Sequence, residues 1–243
     1  MKRTKLALVT AACAVAACQV ANASLTTISG SSSDGNPPGT LVDVMHTLIG
    51  PTYDASVAAN RVDDGSDQVW IAKSGGVIST LIMEIAGNRG GNEFGLYDLN
   101  NKLAFQPVFT GPNSAVMSVA VTPNWSQFGF YLKGGGGTFY SRMSDNGGND
   151  NMLTLKTSQA YTFDPSPVAN WGGTMAQNVT WNPGEYLLGW EDLPIGGGAE
   201  PDYQDMLVKV DAMPVPEPTT VLAGALLLLP FGASTIRGLR RKA

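Results

Sequence analysis

The chain has 243 residues, a formal net charge of −5, a single His (His46) and two Cys (Cys13 and Cys18). One His and two Cys exclude a Cys/His zinc cluster and leave little basis for a Ser-His-Asp triad. The mean charge conceals a segregation: seven of the 15 basic residues lie in the two ends, leaving eight against 19 acidic residues between 24 and 213, a net −11. So acidic a middle argues against nucleic acid as a partner and is compatible with cations.

Met1–Ala23 reads as a secretory signal peptide. Lys2, Arg3 and Lys5 form its charged start, Leu6–Ala17 its apolar run, and Ala21-Asn22-Ala23 its cleavage site. Val15-Ala16-Ala17-Cys18 also fits a loose lipobox, an alternative route that leaves a lipidated Cys18. Cleavage after Ala23 removes both Cys, so the exported chain holds no disulfide in an oxidising compartment.

Residues 24–213 read as one extracytoplasmic domain, long enough to bury a core. Leu41, Val42, Met45, Leu48 and Ile49 repeat at helical spacing and Pro51 stops them, which predicts one helix carrying His46. The rest is all-β in pattern. Gly and Pro cluster at Asp34–Pro38, Gly87–Gly91, Gly134–Gly137, Asn146–Asn151 and Gly196–Gly198, with short apolar runs between. Phe128, Phe130 and Leu132 alternate against Gln127, Tyr131 and Lys133, and Met206, Val208 and Val210 alternate likewise. Val116–Val121, Met152–Lys156 and Glu185–Glu191 are further candidate strands. Short strands between turn signals predict a single β-sandwich or jelly roll. Trp70, Trp125, Trp171, Trp181 and Trp190 are read chiefly as core, with stacking on sugar rings as the alternative for some. Two further acidic, Gly-containing loops, Asp63–Asp67 and Asp145–Asn151, are read as turns, with cation ligation as the alternative; the second starts like a calcium loop but has Asp where the obligatory Gly belongs.

The sharpest internal feature is an acidic hairpin over residues 185–211. A strand ending at Trp190 runs through Glu191 and Asp192 into a Gly-rich loop, then through Asp202 and Asp205 into a second strand. That layout brings Glu191, Asp192, Asp202 and Asp205 together, where they repel and rise in pKa unless a cation neutralises them. Several carboxylates on a Gly loop suit Ca²⁺, the candidate cofactor, although the spacing is not that of an EF-hand. A solvated hairpin whose acids cap backbone amides is the alternative. Trp190, Glu191, Asp192, Asp202, Tyr203 and Asp205 resemble the Phe/Trp-Glu-Asp, Gly-rich loop and Asp-Tyr-Asn-Asp signature of the unknown-function family 4114, with Gln204 where Asn is usual. The resemblance spans roughly residues 115–212 and implies a place to look rather than an activity.

Residues 214–243 carry Pro216-Glu217-Pro218, an apolar run Thr219–Ile236, and the basic cluster Arg237, Arg240, Arg241 and Lys242. The run is 18 residues, about 27 Å as a helix, which predicts one membrane span with a cytoplasmic basic end. These three parts, in this order, resemble the PEP-CTERM sorting signal of Gram-negative bacteria. The resemblance implies an exosortase in the inner membrane as a partner, cleavage near Pro216-Glu217-Pro218, and delivery to the cell surface or extracellular matrix among exopolysaccharide and biofilm. A permanent membrane anchor is the alternative reading of the same segment. The function expected is a non-enzymatic surface or matrix protein. The alternatives are an extracytoplasmic carbohydrate-active hydrolase using two carboxylates, and a structural matrix component without a small ligand.

Overall fold

The structure is a computed structural model that describes residues 25–29, 39–85, 89–110, 118–171, 174–175, 178–195 and 201–215. The leader Met1–Ala23, the Pro216-Glu217-Pro218 motif, the run Thr219–Ile236 and the basic cluster Arg237 to Lys242 lie outside the described residues. Among the described residues, no helix is long and apolar enough to cross a membrane.

The described chain is mostly β. Its strands in order are β1 (Trp70–Ala72), β2 (Val77–Glu84), β3 (Glu93–Asp98), β4 (Asn101–Thr110), β5 (Ser118–Val121), β6 (Gly129–Gly134) and β7 (Gly137–Tyr140), followed by β8 (Met152–Lys156), β9 (Tyr161–Thr162), β10 (Thr174–Met175), β11 (Thr180–Trp181), β12 (Tyr186–Trp190), β13 (Met206–Val210) and β14 (Ala212–Pro214). The helices are α1 (Leu41–Ile49) and the short α2 (Ser166–Asn170). A six-stranded antiparallel sheet runs β10-β2-β13-β12-β8, with β5 also on β2. A four-stranded antiparallel sheet runs β4-β3-β6-β7, and two-stranded pairs join β1 to β14 and β9 to β11.

A shared core lies between the two larger sheets. Phe94, Leu96, Phe130 and Leu132 of the smaller sheet meet Leu81, Leu188, Trp190, Met206 and Val208 of the larger one. The Phe94 ring stacks on Phe130 at 5.5 Å and meets Trp190 edge-on at 6.1 Å. The opposite face of the larger sheet is buried too. There Ile82, Leu153, Leu187 and Leu207 pack under α1, Tyr53 and Trp181. Burial on both faces explains why β12 and β13 are buried almost throughout: Leu207, between the alternating Met206 and Val208, is itself buried against the opposite face. Each such side chain contributes roughly 1.5–3 kcal/mol on burial.

The helix forms where the apolar spacing places it, with Leu41, Val44, Met45 and Leu48 buried. Its start is closed by the Thr40 backbone N–H, which donates to Asp43 Oδ2 at 2.9 Å. Replacing Asp43 by Ala removes that bond and an acid from the first turn. The expected loss is about 1 kcal/mol in urea unfolding. An unchanged denaturation midpoint in Asp43→Ala would show that the cap contributes nothing.

One strand differs from its pattern. Tyr131, expected on the polar side of β6, is fully buried with Tyr97 and Tyr140. The outer face of the smaller sheet therefore carries its own aromatic cluster, roofed by Phe105, whose ring lies 4.5 Å from that of Tyr131. Tyr131 Oη donates to Glu93 Oε1 at 2.7 Å, so the phenol has a partner and can be buried.

Candidate cation site at the exit of the larger sheet

The register of β12 on β13 builds the site. Trp190 pairs with Met206, so the residues beyond them, Glu191 and Asp192 on one side and Asp205 on the other, leave the sheet side by side. Asp205 N–H donates to Trp190 O at 3.2 Å, and Asp192 N–H donates to Asp205 Oδ2 at 2.9 Å. Glu191 N–H donates to Asn151 O at 3.0 Å, and Ile85 N–H, just past β2, donates to Asp205 O at 3.0 Å. Three neighbouring segments thus hold the backbone of this corner.

The outcome is a carboxylate trio. Glu191, Asp192 and Asp205 offer ligand atoms that all lie within 4.8 Å of one another. Glu191 is only 3% exposed, and its Oε2 is buried without a hydrogen-bond partner. Burial pushes the Glu191 carboxyl up to about 10, and the charges of Asp205, Asp202 and Asp192 push the same way. Burial, then Asp192, lifts Asp205 to about 7. Two carboxylates in this position share either a proton or a cation.

Asp202, the fourth carboxylate expected here, does not join the trio. The Gln204 backbone N–H donates to Asp202 Oδ1 at 3.3 Å and its side-chain Nε2 donates to Asp202 Oδ2 at 2.9 Å. The residue between them, Tyr203, has φ +59, a left-handed conformation uncommon for a non-glycine residue. That turn sends the Tyr203 ring inward, where its hydroxyl donates to Asp150 O at 2.8 Å.

Two residues near this corner escaped the sequence pattern. Asn92, just before β3, donates from Nδ2 to Asp192 Oδ2 at 3.3 Å across a separation of 100 residues. The β6–β7 hairpin also leans on the site. A Cβ on Gly136 would stand 2.3 Å from the Asp192 carbonyl oxygen, so only glycine seats there.

A second acidic group lies nearby, in the loops expected to be turns. Asp63 is such a turn residue, accepting the Gly65 N–H on Oδ1 at 2.8 Å. Asp64, Asp67 and Asp150 instead point inward and are buried. Arg61 Nη2 donates to Asp64 Oδ1 at 3.1 Å, and the Thr26 hydroxyl donates to Asp64 Oδ2 at 2.8 Å. Thr26 Oγ1 also sits 2.9 Å from Asp150 Oδ2. The sequence signal was the crowding of acids in each loop, which does not show that Asp64 and Asp67 turn inward or that Asp150 meets them. At the Asp145–Asn151 loop, Asp145 is an ordinary pair for Arg142, with Nε to Oδ2 at 2.8 Å.

The aromatic residues divide clearly. Trp70, Trp181 and Trp190 are fully buried and offer no face to a sugar. Trp125 and Trp171 are partly buried against the two main cores. His46 lies on α1 and is half-buried.

Comparison of the chain with protein-family models, with curated proteins and with solved structures found no match in any of the three. The chemistry of the corner therefore stands on its own geometry, and the two resemblances stand on the residues that carry them.

Proposed function

We propose that this chain is an exported, non-enzymatic surface or matrix protein whose β-sandwich module, of jelly-roll type, binds Ca²⁺ at Glu191, Asp192 and Asp205. The observation that supports it is Glu191: it offers a ligand atom within 4.8 Å of those of two further carboxylates, and its Oε2 is buried without a hydrogen-bond partner. Ca²⁺ takes six to eight hard oxygens at about 2.4 Å, and three carboxylates, mono- or bidentate, supply several of them, with carbonyls or water completing the shell. Asp202 adds negative potential from the next turn without joining the trio. A Glu191 so buried gives a sugar little access, which favours a structural cation over a glycosidase acid.

Export and sorting rest on the two ends. The last described residue, Val215, still donates its N–H to Val69 O at 2.7 Å, so the folded body runs directly into Pro216-Glu217-Pro218. An exosortase in the inner membrane then acts close to the body, and the released domain joins the cell surface or the extracellular polysaccharide matrix.

Two measurements test this reading. Mass spectrometry of the protein recovered from its host is expected to give an N-terminus at Ser24 and a C-terminus near Pro216-Glu217-Pro218. A chain retaining residues 219–243 would overturn exosortase processing. Titration of the metal-free chain with CaCl₂ is expected to give about one bound ion per chain, and no binding heat at millimolar Ca²⁺ would remove the cation.

A further inference from the structure

The Ca²⁺ trio belongs entirely to the larger sheet, yet one buried polar side chain reaches it from the other sheet. Asn92 is 1% exposed, and its Oδ1 has no hydrogen-bond partner. Its Nδ2 is already on Asp192 Oδ2 at 3.3 Å. Asn92 leads directly into β3, in the middle of the four-stranded sheet.

We propose that Asn92 is a fourth protein ligand of the cation, so that the ion ties the four-stranded sheet to the six-stranded one beneath the β6–β7 hairpin. The inference rests on the Ca²⁺ reading of Glu191, Asp192 and Asp205. An Asn side chain has a donor end and an acceptor end, and half a turn about its last bond exchanges them. With no ion, the donor faces the Asp192 carboxylate and the oxygen is stranded. With an ion, the exchanged oxygen occupies the place about 3.3 Å from Asp192 Oδ2. That separation suits two ligands of one Ca²⁺, whose oxygens stand about 2.4 Å from the metal. Binding thereby gives both orphaned oxygens, Glu191 Oε2 and Asn92 Oδ1, a cation, at the cost of turning Asn92 Nδ2 to where Oδ1 now lies beside Gly134.

The hairpin closes over this arrangement. A Cβ on Gly134 would stand 2.0 Å from Asn92 Oδ1, as one on Gly136 would stand 2.3 Å from the Asp192 carbonyl oxygen. The glycine run Gly134–Gly137 is therefore shaped to the site as well as to the turn. An ion held by Asn92 and Asp192 braces both surfaces on which the hairpin rests.

The experiment combines CaCl₂ titration calorimetry with amide hydrogen exchange, on the full chain purified in detergent. Asn92→Ala removes the oxygen, and Asn92→Asp keeps one and adds charge. Ca²⁺ is expected to slow exchange of residues 129–140 in the wild type. Asn92→Ala is expected to bind Ca²⁺ at least tenfold more weakly and to lose that slowing, while Asn92→Asp retains both. If Asn92→Ala binds as the wild type does, Asn92 is no ligand and the inference falls, while the Ca²⁺ reading of the trio stands. If the wild type binds no Ca²⁺, both fall. Should Asn92→Ala fail to fold, the wild type alone decides, because binding without slower exchange in 129–140 overturns the inter-sheet tie.

Discussion

Stripping the chain with EDTA and restoring Ca²⁺ is expected to raise its melting midpoint by about 5–10 °C. A ligand that binds only the native state adds RT ln(1 + [L]/Kd), about 2.7 kcal/mol at a hundredfold excess over Kd. For a domain of this size each kcal/mol moves the midpoint by about 2–4 °C. The double substitution Glu191→Gln, Asp205→Asn keeps the side-chain shapes and removes two ionisable groups. It is expected to abolish the Ca²⁺ shift and to melt higher than the wild type in EDTA at neutral pH, because the metal-free trio no longer has to take up protons or bear unpaired charge on folding. Mg²⁺ is expected to substitute poorly, since it demands a tighter octahedral shell. An EDTA-treated protein whose midpoint ignores Ca²⁺ would falsify the assignment of the trio.

The second large effect is an inverted dependence on pH. Burial, then Asp64, raises Asp150 to about 7. Burial, then Asp150, holds Asp67 well above the carboxylate range, and burial raises Asp64 despite its bonds to Thr26 and Arg61. In the unfolded chain such groups lose their protons near pH 4. A raised folded pKa means that the native state binds more protons than the unfolded state between about pH 4 and 7. These groups therefore contribute most stability below pH 4 and lose it as pH rises through about 7. A tenfold difference in proton affinity between the folded and unfolded states is worth about 1.4 kcal/mol for a buried group. The three buried carboxyls therefore outweigh the exposed Asp54 and Asp164, whose pKa values move the other way and whose charges water screens. In EDTA, the unfolding free energy is expected to decline from pH 5 to pH 8. Asp67→Asn, which needs no proton, is expected to flatten that decline and to gain about 1–3 kcal/mol at pH 8. A wild-type profile that rises across this range, with Asp67→Asn parallel to it, would mean that the inner acids are already ionised and compensated.

The pattern of the chain reached the strands more accurately than the side chains. Met152–Lys156 is β8 to the residue, and Glu185–Glu191 exceeds β12 by one residue at each end. Val116–Val121 shortens to Ser118–Val121 among the described residues, and the helix is Leu41–Ile49 as its spacing requires. Such short-range features follow from local period and turn chemistry. Tyr131 was assigned to the wrong environment because alternation shows that a residue faces away from one core, not that a second cluster awaits it. The acidic hairpin was legible because Glu191, Asp192 and Asp205 flank a single strand pair. Asp202 separated from them because Gln204 offers both its backbone and side-chain amides.

Charge segregation together with hydrophobic period and turn signals determined the class of this protein from sequence: an acidic, β-rich body with one early helix, between two basic, apolar ends. The residue inventory also determined that any metal site of the body would be built chiefly from carboxylates, because the body holds no Cys and one His. Tertiary structure alone decided which carboxylates are solvated and which are buried. Asp63 and Asp64 are neighbours in the chain, yet one caps a surface turn and the other lies inside with Arg61 and Thr26. It also brought Asn92 to Asp192 across 100 residues. The physical reason is that local sequence sets period and turn, whereas burial and long-range pairing depend on how two sheets stack, and desolvation gives a carboxylate its chemistry only once that stacking is complete.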